Sequence, residues 1–183
     1  RNNKLIILAA DSTGHGVPGG FMSMLGLTMA EEIINRNEVQ DAASALNLFR
    51  EKVITALDQK RIQTVTNDGF DVAICVIDLI DNKINYAGAN IPLIIIRNGK
   101  TVFIEPDNMP VGTYLEKTSF KNQFITLEKD DSIYLYTDGI IDQFGGEKNQ
   151  KFSFKRLEKI LIENNSESFS VQKEKIKKEH RQW

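Results

Sequence analysis

The chain has 183 residues, of which 41% are hydrophobic and 26% are charged, and its formal net charge is −2. This composition is typical of one folded domain and excludes disorder or a collagen-like repeat. Because acidic and basic side chains nearly balance, nucleic-acid binding is not favoured. A single cysteine excludes an internal disulfide and favours a reducing, cytoplasmic compartment. No apolar run approaches the roughly 20 residues that span a bilayer, so no membrane segment is expected.

The chain opens on an apolar run that predicts a buried strand over residues 4–10. Residues 14–20 (GHGVPGG) predict a loop. A first helix is then expected to begin near Phe21, where apolar residues recur at helical spacing, and to end at the polar residues 35–37.

A second helix is predicted to start after Asp41, a residue well suited to an N-cap. Its apolar residues share one face: Leu46, Phe49, Val53 and Leu57. The period then changes to that of strands, which are predicted over residues 70–79, 83–87, 93–97, 101–104, 122–127 and 132–136. Asn98-Gly99, between two of these strands, is the strongest short signal for a hairpin. From Phe154 the chain returns to helix and becomes strongly charged, which favours a solvated helix face over a basic binding patch.

The order is thus one strand, two helices, several hairpin-linked strands and then helices. This order predicts an α+β fold with antiparallel sheets, in a single domain over residues 1–183.

Residues 14–19 match G-x-G-x-x-G, the pattern of dinucleotide-binding loops. Two features disfavour that interpretation. Residues 11–13 separate the predicted strand from the first glycine, and the next two elements are helices, so no βαβ unit forms. A nucleotide-binding oxidoreductase is therefore the weakest of the functions considered.

Two aspartates carry more chemistry. Asp11 follows the first predicted strand, and Asp138, in Thr137-Asp138-Gly139, follows a later one. Carboxylates beside backbone carbonyls are ligands for hard cations such as magnesium or manganese. Two such ions can activate a water molecule and hold a phosphoryl group. Aspartates at strand ends are also common turn formers, so the pattern leaves both interpretations open.

Five ordered blocks resemble the SpoIIE-type (RsbU-like) branch of the PPM metal-dependent, type 2C-like serine/threonine protein phosphatases. They are residues 9–26 (AADSTGHGVPGGFMSMLG), 67–78 (NDGFDVAICVID), 86–95 (YAGANIPLII), 107–112 (DNMPVG) and 135–146 (LYTDGIIDQFGG). The resemblance covers nearly the whole chain.

This resemblance implies a sandwich of two antiparallel β-sheets flanked by helices. It implies hydrolysis of phosphoserine or phosphothreonine on a protein, with two Mn²⁺ or Mg²⁺ ions as cofactors and direct attack by water. The implied partners are a phosphoprotein substrate similar to an anti-sigma-factor antagonist and an upstream sensor domain in the parent chain. A homodimer is compatible with it, as is membrane anchoring of the parent.

The resemblance also implies roles for individual residues. Asp11 resembles the aspartate that bridges both metals, and the backbone carbonyl of Ser12 resembles the next ligand. Asp138 resembles the aspartate that holds one metal. Gly139 is expected to free the backbone to turn beside the ion, and Asp142 is expected to support the site without direct ligation.

The sequence leaves two interpretations open for His15 and for the pair Asp68 and Asp71. His15 is a candidate general acid, or else a packed loop histidine. Asp68 and Asp71, on either side of an expected Gly69–Phe70 turn, could serve a third metal, but strand capping is favoured. His180 is expected to be exposed, and Cys75 to be a core residue.

The family's first metal aspartate and its terminal Asp-Asp or Asp-Asn motif have no match in the chain. The chain is therefore expected to lack the family's first strand or strands and its last strand, and to bind metal weakly alone, with little or no activity. The alternative is a catalytically inactive module, a pseudophosphatase that binds a partner. The presence of Asp11 and Asp138 argues against this alternative.

Overall fold

The computed structural model describes residues 3–35, 41–57, 68–114 and 118–183. The chain divides into two compact units. The first comprises Arg1–Leu93 with Glu105–Leu127, and the second Ile94–Ile104 with Glu128–Trp183. No helix in the described ranges is both long and apolar enough to cross a membrane.

The predicted elements follow one another in the predicted order, and the structure adds four short elements at residues 111–112, 138–141, 144–145 and 150–151. The full order is β1 (Lys4–Ser12), α1 (Gly16–Asn35), α2 (Ala42–Ala56), β2 (Gly69–Asp78), β3 (Lys83–Ala89), β4 (Leu93–Arg97), β5 (Lys100–Ile104), β6 (Val111–Gly112), β7 (Gln123–Thr126), β8 (Ser132–Leu135), α3 (Asp138–Ile141), β9 (Phe144–Gly145), β10 (Gln150–Lys151), α4 (Phe154–Glu163) and α5 (Phe169–Gln182).

The largest sheet has the strand order β1-β2-β3-β7, with β6 also paired to β2. All of its strand pairs are antiparallel. A second sheet has the order β5-β4-β8, and β9 pairs with β10. Antiparallel sheets together with helices confirm the predicted α+β class.

Helices α1 and α2 cover one face of the largest sheet. The alternation of side chains along β2 turns Val72, Ile74 and Val76 toward a core that also contains residues of both helices. Phe49 of α2 stacks on Phe70 of β2 with ring centroids 5.5 Å apart. The apolar face predicted for α2 is confirmed, because its apolar residues pack in this core.

A hydrogen-bonded polar group anchors the start of α2. Asp41 is the N-cap and accepts a hydrogen bond from the Ser44 amide at 2.8 Å, as predicted. Asn122 donates to Asp41 and accepts from Asn85, each at 2.8 Å. Asn85, on β3, also accepts from the Ala42 amide. These bonds satisfy polar groups that would otherwise be costly to bury, and they fix α2 to the sheet.

The second unit has its own small core, formed by β4, α4 and neighbouring aromatic residues. The predicted hairpin is confirmed, since Asn98 and Gly99 both have positive φ, 52° and 70°. Arg97, at the end of β4, forms ion pairs with Asp131 at 2.7 Å and Glu128 at 2.8 Å. These bonds tie the turn before β8 to the sheet.

Helix α1 begins earlier than predicted, at Gly16 rather than near Phe21. Glycine and proline in residues 14–20 suggested a loop, yet Pro18 lies in the first turn, where the missing amide costs no intrahelical bond. The helix ends at Asn35 as expected, and residues 36 and 37 lie outside the described ranges.

Strand β1 differs from the prediction in length and burial. It continues through Asp11 and Ser12, two residues past the expected end. It is an edge strand in the described part of the chain, which leaves Leu5 47% and Ile7 38% exposed, so the prediction of a buried strand is wrong. Whether a strand is central or at an edge depends on distant partners and not on its own pattern.

The prediction that His180 is exposed is also wrong. Its ring packs on Phe152 with centroids 4.2 Å apart, and its Nε2 atom is buried. The rest of α5 agrees with the predicted solvated face, since Gln172 is its one buried residue.

The Arg97–Asp131 pair yields a prediction for stability. Hydrogen bonds from Arg97 hold the pKa of the Asp131 carboxyl below its ordinary value, against the opposing effect of burial. We expect Asp131→Asn to lower the free energy of unfolding by about 2 kcal/mol at neutral pH, because a charge-assisted double hydrogen bond is lost. Asp81→Asn, at an exposed 3.9 Å pair with Lys83, is the control and should change it by less than about 0.5 kcal/mol.

The pH dependence of this difference follows from its sign. Because the carboxyl has a lower pKa in the folded state, its contribution is present above the unfolded pKa of about 3.9 and is lost as the pH falls through the folded value. Urea unfolding between neutral pH and pH of about 3 should therefore show wild type and Asp131→Asn converging. A constant difference at every pH would contradict this explanation.

Candidate functional site

The end of β1 is held against β2 by two hydrogen bonds. The Thr13 amide donates to the Gly69 carbonyl, and the Gly69 amide donates to Thr13 Oγ1, each at 3.0 Å. At the other end of the strand, the Leu79 amide donates to the Asn3 carbonyl at 2.9 Å. Odd-numbered residues of β1 therefore form the hydrogen-bonded pairs with β2.

This parity determines where the Ser12 carbonyl lies. Ser12 is opposite Phe70 in a pair of the non-hydrogen-bonded kind, so its amide and carbonyl point away from β2. No other strand of the described ranges pairs with β1. The carbonyl predicted as a metal ligand is thus directed away from β2, to the side on which no strand of the described ranges pairs with β1.

The parity also places Asp11 beside Asp71. These residues are direct partners in the β1–β2 register, and both side chains lie on the face opposite α1 and α2. Asn90 of the neighbouring strand region donates to Asp71 Oδ1 at 2.7 Å. Like charges directly opposite each other are destabilising, and a bound cation would relieve their repulsion.

The strand register changes the interpretation of Asp68 and Asp71, for which the sequence favoured strand capping. Gly69 and Phe70 belong to β2 and do not form a turn. Asp71 therefore lies inside the strand and is not a strand cap, whereas Asp68 directly precedes it. The sequence favoured capping because the register that pairs Asp71 with Asp11 depends on residues 60 positions apart.

A short loop connects this strand end to α1. Gly14 and Gly16 have φ of 95° and 62°, values that favour glycine. A Cβ on Gly19 would lie 2.8 Å from the Gly14 carbonyl oxygen, so this close approach also requires glycine. Ser12 Oγ and Ser23 Oγ are 2.9 Å apart, which links the strand end to the helix. His15 lies in this loop and is exposed.

Asp138 occupies a different local setting. It is the first residue of the four-residue helix α3, and Thr137 is the N-cap. Its side chain is exposed, and its carbonyl accepts from the Asp142 amide at 2.8 Å. The strand-end position predicted for Asp138 agrees with β8, which ends at Leu135.

Gly139 and Asp142 are the two residues that were expected to support the metal site. Gly139 is helical, and a Cβ there would meet only Thr137 Oγ1 at 3.7 Å, so the turn does not require glycine. Asp142 is the C-cap, and its Oδ2 pairs with Lys151 Nζ at 2.7 Å.

The predicted ligands thus fall into two groups. Asp11 and Ser12 end one strand of the first unit, and Asp138 begins a helix of the second. In the described ranges, no three His, Cys, Asp or Glu side chains form a cluster that could hold a metal ion.

Cys75 is a core residue and is not a candidate nucleophile or metal ligand. It is fully buried in β2, and burial raises the pKa of its thiol to about 12. The thiolate needed for nucleophilic attack is therefore disfavoured, and the predicted core role is confirmed.

Comparison with known proteins identifies the family. The family model described as "Stage II sporulation protein E (SpoIIE)" matches residues 1–182. No curated protein sequence matches the chain significantly.

Solved structures share the fold. The SiaA-PP2C domain of Pseudomonas aeruginosa has a TM-score of 0.84 at 21% identity, over 100% of this chain and 74% of that one. The PP2C phosphatase domain of SpoIIE from Bacillus subtilis, solved with a fragment of its regulatory domain, has a TM-score of 0.72 at 17% identity, over 94% and 49% of the two chains. RsbX in complex with magnesium has a TM-score of 0.61 at 17% identity, over 100% and 75%.

These structures confirm the expected fold class. The chain spans about half the length of the SpoIIE structure and about three quarters of the length of the other two. The chain belongs to the SpoIIE family and has the fold of PPM-type (PP2C-like) phosphatase domains.

Proposed function

We propose that the chain is part of a metal-dependent protein serine/threonine phosphatase that hydrolyses phosphoserine or phosphothreonine on a regulatory protein. The observation that carries this proposal is the end of β1, where the Asp11 carboxylate is followed by a Ser12 carbonyl that points away from β2. Family membership supports the same activity.

The donor atoms fit a hard divalent cation. Asp11 would contribute a carboxylate, Ser12 its carbonyl oxygen and Asp138 a second carboxylate, all of which suit Mg²⁺ or Mn²⁺. Asp71 lies beside Asp11 and adds negative charge at the same strand end. When bound, two such ions would supply Lewis-acid activation of water and charge stabilisation of the phosphoryl group. The magnesium complex of RsbX supports this choice of metal.

The protein's own residues keep these donors in place. The Thr13–Gly69 hydrogen bonds fix the direction of the Ser12 carbonyl. The bond between Ser12 and Ser23 ties the strand end to α1. At the other group, Lys151 holds the Asp142 carboxylate, so Asp142 supports α3 while Asp138 remains exposed for ligation.

His15 is proposed as the general acid that protonates the leaving alkoxide of serine or threonine. Its exposed ring, on a loop four residues after Asp11, can reach a phosphoprotein bound at this strand end. A proton donor matters most when the leaving group is a poor one, as an alkoxide is.

The proposed substrate is a phosphorylated regulatory protein of the anti-sigma-antagonist kind. One similar structure contains RsbU and RsbW domains in a single chain, at a TM-score of 0.69, and SpoIIE is described with a regulatory domain. We propose by analogy that a sensor domain in the parent protein controls the site.

Metal affinity gives the first test. Because the described residues contain no cluster of three acidic, histidine or cysteine ligands, we expect the 183-residue chain to bind Mn²⁺ more weakly than micromolar in calorimetry. Asp11→Asn should weaken it further by about tenfold, since ligand charge sets affinity. Without metal, the same variant should unfold no more easily than wild type, because a repulsion is removed.

Asp81→Asn is the matched control, because Asp81 follows β2 at the end of the sheet opposite Asp11. Micromolar Mn²⁺ affinity of the wild-type chain, or equal effects of the two variants, would contradict this prediction.

Activity gives the second test, in the parent protein. Asp138→Asn should reduce Mn²⁺-dependent hydrolysis of a phosphoserine peptide roughly 100-fold or more, since metal ligation supplies several kcal/mol of transition-state stabilisation. The folded state should be retained, because the Asp138 side chain is exposed. Near wild-type turnover would refute its role, and a parent protein that folds and binds its partner without hydrolysis would favour the pseudophosphatase.

His15 is tested by the choice of substrate. We expect His15→Ala to slow hydrolysis of a phosphoserine peptide by about 100-fold, within the usual range for general acid catalysis. Hydrolysis of p-nitrophenyl phosphate should change little, because nitrophenolate leaves without protonation. An equal loss on both substrates would assign His15 to metal or substrate binding, and no loss on either would exclude it from the mechanism.

A further inference from the structure

A basic cavity of about 660 Å³ opens in the second unit, among β10, α4 and α5. It is separate from the residues proposed as metal ligands. Its lining contains six cationic side chains: Lys151, Lys155, Arg156, Lys159, Lys175 and Lys178. Two acidic side chains, Glu163 and Glu179, also line it.

The cavity lining has a net positive charge, whereas the whole chain has a net negative charge. Six cations and two carboxylates line the cavity, and two further carboxylates, Asp142 and Glu167, pair with lining lysines. The local excess is therefore two positive charges, whereas the formal net charge of the chain is −2. A concave site lined by one sign of charge concentrates the electrostatic field and raises the local concentration of counter-ions. The lining is therefore suited to an anion.

Three of these cations lack a carboxylate partner in the part of the chain that the structure describes. Lys151 pairs with Asp142 at 2.7 Å, Lys159 with Glu163 at 3.7 Å and Lys175 with Glu167 at 3.6 Å. No such pair involves the remaining three cations, which are Lys155, Arg156 and Lys178. Their charges are available to a ligand.

Arg156 is held in a defined position. Its guanidinium lies 3.9 Å from the centroid of the Trp183 ring and 5.6 Å from that of Phe152. Cation–π contacts of this kind orient the side chain and leave the donor edge free to bind an anion. Ser153, also in the lining, is the N-cap of α4 and makes no side-chain hydrogen bond to the first turn of that helix.

We propose that this α4–α5 cavity binds a small polyanion that carries several phosphate groups. Its volume lies within the usual range for small-ligand sites. Cations converge on it from three elements, and lysines bind phosphate as point charges. A nucleotide base would need an open aromatic ring on which to stack. Arg156 lies over one face of the Trp183 ring, and the Phe152 ring is buried. We therefore expect the cavity to recognise the phosphate groups of its ligand rather than a base.

The two sites share Lys151, but none of the proposed metal ligands lines the cavity and the cations tested below take no part in the proposed phosphatase activity, so either proposal can fail alone. The competing occupant is an acidic segment of a protein. The convergence of charge on one concavity favours a compact ligand over an extended peptide, and the experiment tests both.

Trp183 is the one tryptophan of the chain and lines the cavity, so its fluorescence reports on binding there. The probe is inorganic tripolyphosphate in metal-free buffer, with calorimetry as the second readout. We expect a saturable fluorescence change and a binding heat, both weakened by added salt because the charges are screened.

The double variant Lys155→Gln/Lys178→Gln should weaken binding by about tenfold, a loss of about 1.4 kcal/mol. Lys173→Gln/Lys177→Gln is the matched control, because it removes the same charge from exposed residues of α5 outside the lining. All four lysines are exposed, and circular dichroism checks that both variants remain folded.

Three results would overturn the proposal. These are absence of both a fluorescence change and heat in the wild-type chain, equal weakening in the two double variants, or tighter binding of a hexaglutamate peptide than of tripolyphosphate. The last result would assign the cavity to an acidic protein segment.

Discussion

The antiparallel pairing of β1 with β2 determines the geometry of the candidate metal site. The paired bonds between Thr13 and Gly69 set which residues of β1 bond to β2 and which point to the edge. A register shift of one residue would move Asp11 to the opposite face and turn the Ser12 bonds toward β2. The core prevents such a shift, because Ile6 and Leu8 would then leave the apolar side beneath the helices.

The two helices stabilise this register from one side of the sheet. A Cβ on Gly26 would lie 2.5 Å from the Phe70 ring, so glycine allows α1 to pack closely on β2. Phe70 also stacks on Phe49, and the Asn85–Asn122 pair anchors the start of α2. Packing on one face thus fixes the strand pairing that places the adjacent carboxylates of Asp11 and Asp71 together on the opposite face.

Local sequence signals predicted local structure well. Asp41 as an N-cap and Asn98-Gly99 as a hairpin are confirmed, because each depends on the conformations of a few adjacent residues. Helix α1 begins earlier than the pattern predicts, because glycine and proline occur both in loops and in the first turn of a helix. The fold class followed from the order of these elements.

Features that depend on distant partners were not available from the pattern. The edge position of β1, the pairing of Asp11 with Asp71 and the packing of His180 on Phe152 each join residues far apart in the chain. The strand-end positions of Asp11 and Asp138 were predicted, and their roles as ligands remain proposals. The basic cavity arises from three elements, none of which indicates a binding site alone.

The central claim is that the end of β1 holds a divalent cation, and paramagnetic broadening of amide resonances by Mn²⁺ tests it directly. The account predicts that sub-stoichiometric Mn²⁺ first broadens the resonances of Asp11, Ser12 and Asp71, and that Asp11→Asn removes this effect. Broadening centred on exposed carboxylates elsewhere, such as Asp81, with no preference for the end of β1, would contradict the account.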